Sequence, residues 1–256
     1  MSETNIAWTD FSFNIVIGCT KIDPGCANCY AETMSKRMGR DVWGPGKPRD
    51  ILSENYWNQP LKWNKKAAAG YAGVLGLGYP LLVFCSSMAD VWEDHETVTQ
   101  QRARLWPLIR ATPNLHWQLL TKRADRIAEN LPEDWGNGYL NVWLGVSVSE
   151  PKGLWRIMDL RKIPAKVRFV SYEPSLAVIG STIDRPNLAG IDWVISGGES
   201  GPNFRKDDPR WHHLMWNHCS EQGVAYFYKQ SAALRPGNRP LNLPQQFPNI
   251  DADSLI

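Results

Sequence analysis

The chain has 256 residues, 43% of them hydrophobic, and a formal net charge of +2. That describes one soluble domain with a sizeable core, and a charge balance that neither requires nor excludes a nucleic-acid partner. No run approaches the ~20 apolar residues of a bilayer span, and the opening residues lack the basic start and apolar stretch of an export signal, so a cytoplasmic protein with no membrane partner is expected.

In chain order, an apolar run at 14–17 is the first predicted strand and 27–40 the first predicted helix, with a cysteine-bearing loop between them. Residues 41–80 read as an irregular insertion that mixes Trp43, Trp57 and Trp63 with Lys47, Arg49 and Lys65. Aromatic faces beside cations suit nucleotides, and the same mixture also suits an inert cover. Further strands are expected at 81–85, 116–120, 142–146, 167–170, 193–195 and 225–228, most of them continuous apolar runs of the kind that parallel strands covered on both faces display. Helical patterns lie between them at 97–111, 123–130, 151–159 and 209–222, the last with Pro209 placed for a first helical turn. Alternation repeated six or seven times predicts an α/β fold, a partial or complete (β/α) barrel of about six to seven parallel strands spanning 1–232. The proline-rich stretch 233–256 is expected to wrap the surface as an extension.

Three cysteines, Cys19, Cys26 and Cys29, fall within eleven residues. Three thiolates can hold a four-iron cluster by three of its irons and leave the fourth open to an external ligand. Three thiolates with one remote fourth ligand can also form a structural zinc site, which would make the chain a zinc-stapled nucleic-acid-binding module. A disulfide is disfavoured, because five cysteines is an odd number and no secretory segment precedes the loop. Cys85 and Cys219 sit in apolar or helical contexts and read as buried thiols. Most of the thirteen tryptophans are expected to fill core.

In (β/α) barrels the C-terminal strand ends build the active site, and here every such end is polar. Strand 81–85 leads into Ser86, Ser87 and Asp90, strand 116–120 into Lys122 and Arg123, and strand 142–146 into Ser147. Strand 167–170 leads into Glu173, strand 193–195 into Gly197, Gly198 and Glu199, and strand 225–228 into Lys229 and Gln230. Any one of these could be a helix cap or a solvated loop; six on one rim point to a shared site. Glu173 and Asp90 are candidate hydrogen-bond acceptors for a polar substrate and Lys229 a partner for an anionic group, each with a buried ion pair as the alternative.

The blocks Trp8-Thr-Asp10, Gly18-Cys-Thr-Lys21, Pro24-Gly-Cys26, Asn28-Cys-Tyr-Ala31, Trp143-Leu-Gly-Val-Ser147, Ser171-Tyr-Glu-Pro-Ser175 and Gly197-Gly-Glu-Ser-Gly201 together resemble a phage-associated family with a three-cysteine motif, long labelled as a domain of unknown function and related to radical S-adenosylmethionine enzymes. The resemblance covers roughly residues 5 to 232. It implies a radical S-adenosylmethionine type of barrel, a [4Fe–4S] cluster on Cys19, Cys26 and Cys29, and S-adenosylmethionine chelating the open iron. One-electron cleavage of the sulfonium then gives a radical that abstracts hydrogen from a C–H bond, a chemistry that belongs to the cofactor.

Six residues separate Cys19 from Cys26 where the commonest radical-enzyme cradle has three, and Asn28 stands where an aromatic usually contacts adenine, leaving Tyr30 as its substitute. Glu199 in Gly197-Gly198-Glu199 is the candidate for the methionyl amine, Lys122 and Arg123 for the methionyl carboxylate, and Ser86, Ser87 and Ser147 for other cofactor contacts. The implied substrate is a nucleobase in DNA, with hypermodified phage thymine as the specific case and an isomerase or aminomutase as the reaction. A lyase resembling photoproduct repair is the enzymatic alternative. A reductase or flavodoxin-type donor would supply the electron, in the host cytoplasm if the chain is phage-encoded.

Overall fold

In the computed structural model, which describes residues 4–77 and 79–250, the chain opens with β1 (Phe11–Phe13) and β2 (Val16–Ile17), passes through the cysteine loop into α1 (Tyr30–Arg37), and continues through β3 (Asp50–Ile51), α2 (Glu54–Trp57) and α3 (Gln59–Ala68). Strands and helices then alternate: β4 (Leu81–Cys85), α4 (Glu96–Arg110), β5 (Leu115–Thr121), β6 (Val142–Ser147), α5 (Trp155–Arg161), β7 (Val167–Tyr172), β8 (Trp193–Gly197), α6 (Pro209–Glu221) and β9 (Ala225–Gln230). Seven strands form one sheet in the order β1-β4-β5-β6-β7-β8-β9, every neighbouring pair parallel. The fold is α/β, a curled half-barrel with β1 and β9 as its edges. Parallel strands must be joined by crossovers, so all seven C-terminal ends emerge on one rim.

Every residue of β4, β6 and β8 is buried, as the continuous apolar runs require. Alternate residues point to opposite faces. Leu81, Val83 and Cys85 join Val98, Leu105 and Ile109 of α4 on the helix side, and Leu82 and Phe84 join Trp143, Phe169, Trp193 and Phe227 on the other. That second core is largely aromatic, with Trp193 edge-on to Trp8 at 6.2 Å and to Trp143 at 6.0 Å. The C-terminal extension closes its base. Phe247 lies 5.3 Å from Trp193, the Trp193 Nε1–H donates to the Gln246 carbonyl at 2.8 Å, and Gln245 bridges to Phe227.

Three expectations are corrected. The first sheet strand is β1, three residues earlier than the apolar run 14–17. The Asn14 side chain accepts from Met88 N at 2.7 Å and its backbone N–H donates to Tyr56 Oη at 2.9 Å, which takes the chain out of the ladder. Val16 and Ile17 instead pair antiparallel with Ile51 and Asp50. The stretch 123–130 forms two short 3-10 turns, Ala124–Arg126 and Ala128–Asn130, because Leu131 precedes Pro132 and is held extended at ψ 152°. Finally, the insertion is partly regular, since α2 and α3 lie within it. Trp63 stacks on Phe11 with centroids 4.5 Å apart, and Trp57 meets Phe13 edge-on at 5.1 Å beneath the Arg104 guanidinium. These tryptophans are core. Among the described residues no helix is long and apolar enough to cross a membrane.

Candidate active site

The cysteine loop leaves β2 through Gly18, whose φ of 121° lies where only glycine is at ease and where a Cβ would run into the Val42 carbonyl oxygen. Its N–H donates to the Met88 carbonyl at 3.0 Å, which ties the loop to the segment after β4. Beyond Cys19, the Thr20 N–H donates to Glu93 Oε1 at 2.8 Å and the Gly44 N–H to the Cys19 carbonyl at 3.0 Å. Asp23 is paired with the buried Arg156 at 2.7 Å, and the Asn28 side chain donates to Glu199 at 3.0 Å and to the Asn203 carbonyl at 2.7 Å. Cys29 then takes the position before α1. The loop is thus sewn to the segments that follow β4, β8 and the strand before α5. Cys19, Cys26 and Cys29 are all free and half-buried, whereas Cys85 and Cys219 are buried.

A network of buried charges lies under the loop. Arg49 donates from Nε and Nη2 to the two carboxylate oxygens of Glu93, both at 2.8 Å, in the bidentate geometry that guanidinium groups favour. Arg123 donates to Asp90 at 2.9 Å, to the Thr20 carbonyl at 2.8 Å and to Cys19 Sγ at 3.7 Å, and lies 3.5 Å from Glu93. Asp90 also accepts from the Thr121 hydroxyl at 2.8 Å and from Trp92 N at 3.0 Å. Burial pushes the Glu93 carboxyl up, but the hydrogen bonds and charge of Arg49, with Thr20 and Arg123, outweigh it and hold the group below its ordinary value. Burial, reinforced by Asp90 and Glu93, pushes the Cys19 thiol up to about 12 against the pull of Arg123.

The rest of the rim carries Glu173 and two lysines. Lys229 Nζ lies 2.7 Å from Glu173 Oε1, and the Ser171 hydroxyl donates to Oε2 at 3.2 Å. Gly197 makes room for this carboxylate, for a Cβ there would stand 2.6 Å from Glu173 Oε1. Lys122 Nζ donates to Ser147 Oγ at 2.7 Å, and that hydroxyl donates to the Glu173 carbonyl at 2.8 Å. Tyr30, half exposed on α1, reaches the Ser87 carbonyl at 2.9 Å, and Ser87 shares hydrogen bonds with Asn14. Ser86 is buried beside Cys85 and the Ile15 N–H.

The fold therefore gathers Lys122, Ser147, Glu173 and Lys229 on one part of the rim and Asp90, Arg123 and Cys19 on another. Asp90 takes its ion-pair alternative, since its acceptors are filled by protein donors. Glu199 is engaged as well: Arg205 donates to it from its backbone N at 2.8 Å and from its guanidinium at 3.0 and 2.5 Å. Burial raises the Glu199 carboxyl, and Arg205 and Asn28 outweigh it, so the group sits below its ordinary value. The Gly198 N–H donates to the Gln230 carbonyl at 2.9 Å, and the Gln230 side chain is spent on the Gly198 carbonyl and the Gly237 N–H. Arg49, whose segment reads from sequence as either a nucleotide-facing mixture or an inert cover, is a buried strut. Glu93, Arg205, the Asp23–Arg156 pair and the bond from Asn28 to Glu199 are not legible in the sequence. The partners of Glu93, Asn28 and Asp23 lie far along the chain on other elements, where no spacing signals them, and Arg205 meets Glu199 within one loop, where no helical or strand period marks the pair.

The sequence profile of the family described as Protein of unknown function (DUF5131) matches residues 3–240. The chain belongs to that family. No curated protein and no solved structure matches it.

Among the described residues no group of three or more His, Cys, Asp or Glu side chains is arranged to hold a metal ion. A single ion needs ligands converging on one point, whereas a cubane takes one thiolate at each of three separate irons. The donor set is three free, half-buried thiols on one loop, the kind of ligand that iron–sulfur clusters take, with the Arg123 guanidinium at the first and the Lys122 charge near the third.

Proposed function

We propose that this chain is a radical S-adenosylmethionine enzyme that acts on a nucleobase in DNA, with an isomerase or aminomutase reaction on hypermodified thymine as the specific case. The observation that carries the reading is the three-thiol loop on the same rim as the Lys122, Ser147, Glu173 and Lys229 group, in a half-barrel whose strand ends all face one way. Cys19, Cys26 and Cys29 are the residues that would hold a [4Fe–4S] cluster. When bound, the cluster and S-adenosylmethionine supply hydrogen abstraction from an unactivated C–H bond.

The protein's own contribution is position and the exclusion of water. Lys122 is the cation for a cofactor carboxylate, because among the described residues its ammonium donates to the Ser147 hydroxyl and meets no carboxylate, while Arg123 is committed to Asp90 and Cys19. Ser147, Ser86, Ser87, Tyr30, Gly197 and Gly198 shape the wall around it. Glu173 and Lys229 are the substrate-facing pair, one accepting and one donating hydrogen bonds. Asp90, Arg123 and Glu199 act as positioning residues that hold the cysteine loop.

The test is anaerobic reconstitution with iron and sulfide, followed by incubation with S-adenosylmethionine, reductant and phage-type modified DNA. The expected result is a brown protein with four irons per chain, release of 5′-deoxyadenosine, and a mass-neutral or mass-lowering change in a digested nucleoside that separates isomerase from lyase. A colourless protein with one zinc, or a full cluster that never cleaves S-adenosylmethionine, overturns the proposal.

A further inference from the structure

The three cysteine sulfurs of the loop have different surroundings. Cys26 Sγ lies 3.5 Å from Asp23 Oδ1, a carboxylate already held by Arg156. Cys29 stands before α1, where burial raises its thiol and the backbone N–H groups of Glu32 and Ala31 and the Lys122 charge offset only part of that. Among the described residues Cys19 is the one of the three that meets a guanidinium, with Arg123 Nη1 at 3.7 Å from Sγ.

Arg123 is 8% exposed and fixed from several sides. Its backbone N–H donates to Thr121 Oγ1 at 2.8 Å, Nη1 donates to Asp90 at 2.9 Å, and Nη2 donates to the Thr20 carbonyl at 2.8 Å. The Thr20 contact ties the guanidinium to the residue after Cys19, so the loop and the cation cannot drift apart. Its carboxylate partners are fixed in turn, Asp90 by Thr121 and Glu93 by Arg49. Asp90 and Glu93 place two negative charges near Cys19, and Arg123 opposes both from hydrogen-bond distance of the sulfur.

We infer that Arg123 is a positioning residue that sets the reduction potential of the cluster proposed above, through a charge-assisted hydrogen bond to Cys19 Sγ. The inference rests on the cluster reading. A donor on a ligand sulfur, and a positive charge beside it, stabilise the added electron and raise the potential. A lysine would carry the charge but not the planar fork that reaches Asp90, Thr20 and Cys19 together.

Wild type, Arg123→Lys and the paired variant Asp90→Asn with Arg123→Leu are reconstituted anaerobically, and the midpoint potential is read by EPR-monitored redox titration. The paired variant removes one charge of each sign, so no buried carboxylate is left without its partner and the net charge near the cluster stays the same. Its reduced-to-oxidised ratio at fixed poise is expected to fall about tenfold, a shift of about 59 mV for a one-electron couple; Arg123→Lys moves in the same direction by less. An unchanged midpoint in the paired variant, or a larger shift in Arg123→Lys, overturns the inference.

If the variants do not load, wild type labelled with 15N-arginine decides. Pulsed EPR of its reduced cluster is expected to show hyperfine coupling to a guanidinium nitrogen, and the absence of coupling overturns the inference. A wild-type chain that assembles no cluster overturns the proposed function itself. A cluster that forms without the shift or the coupling overturns only the role of Arg123.

Discussion

Replacing Arg49 by Met removes the bidentate clamp on Glu93 while keeping the apolar stem of the side chain. The pair is nearly inaccessible, at 1% and 4% side-chain exposure, and Arg49 also donates to the carbonyls of Val42, Lys47 and Pro48. Breaking a buried pair by removing one partner costs about 3–5 kcal/mol, because the remaining charge is left uncompensated. Thr20 and Arg123 still reach Glu93, which places the expected loss at the lower end, about 3 kcal/mol. For a domain of this size that corresponds to a melting temperature lower by roughly 6–12 °C.

Circular-dichroism melts of Arg49→Met and of Arg49→Met with Glu93→Gln measure it, and the double variant is expected to recover part of the loss because no unpaired charge remains. The pH dependence carries a sign. The Glu93 carboxyl titrates below its ordinary 4.5 in the folded chain, so its stabilisation is present above 4.5 and is lost as pH falls through the folded value. The gap between wild type and Arg49→Met therefore narrows below pH 4.5. A single variant that melts within about 2 °C of wild type at pH 7, or a gap that widens in acid, refutes the reasoning.

Gly18→Ala forces a side chain into a left-handed backbone and against the Val42 carbonyl, at about 1–3 kcal/mol, and is expected to lower both the melting temperature and the iron content after reconstitution; iron loading equal to wild type would contradict it. Glu173→Gln keeps the volume but removes the acid partner of Lys229, so 5′-deoxyadenosine release coupled to DNA is expected to fall at least tenfold while the melt stays within about 2 °C of wild type, and unchanged coupled turnover would remove Glu173 from the site. His116 is buried, accepts from Trp143 Nε1 at 3.1 Å, and burial lowers its value from 6.5 to about 4. The unfolded chain therefore binds its proton first as pH falls below 6.5, and urea denaturation is expected to show about 2 kcal/mol less stability at pH 5 than at pH 7 from this group. His116→Asn should show a smaller loss, and an identical pH dependence would exclude His116 as its source.

Much of the half-barrel can be read from periodicity. The runs at 81–85 and 142–146 become β4 and β6 because a strand covered on both faces has no polar position to interrupt it, and Pro209 opens α6 behind the Asp208 cap. The first strand is misplaced because 14–17 and 11–13 are both short and apolar, and what separates them is a set of hydrogen bonds from Asn14 to residues 42 and 74 positions away. On the rim, the polar residue types at the strand ends are legible in the sequence, but their partners are not. Asp90 and Glu199 look like free carboxylates in one dimension, and Arg123 and Arg205 fill them in three.

By itself the sequence determines that the strands are parallel and that three thiols lie on one loop, since hydrophobic period and cysteine spacing are local properties of the chain. Which charges face a ligand and which brace the loop is decided only by tertiary structure. A carboxylate's chemistry depends on the donors within about 3 Å of it, and here those donors come from other crossovers of the barrel, as Arg49 does for Glu93 and Asn28 does for Glu199.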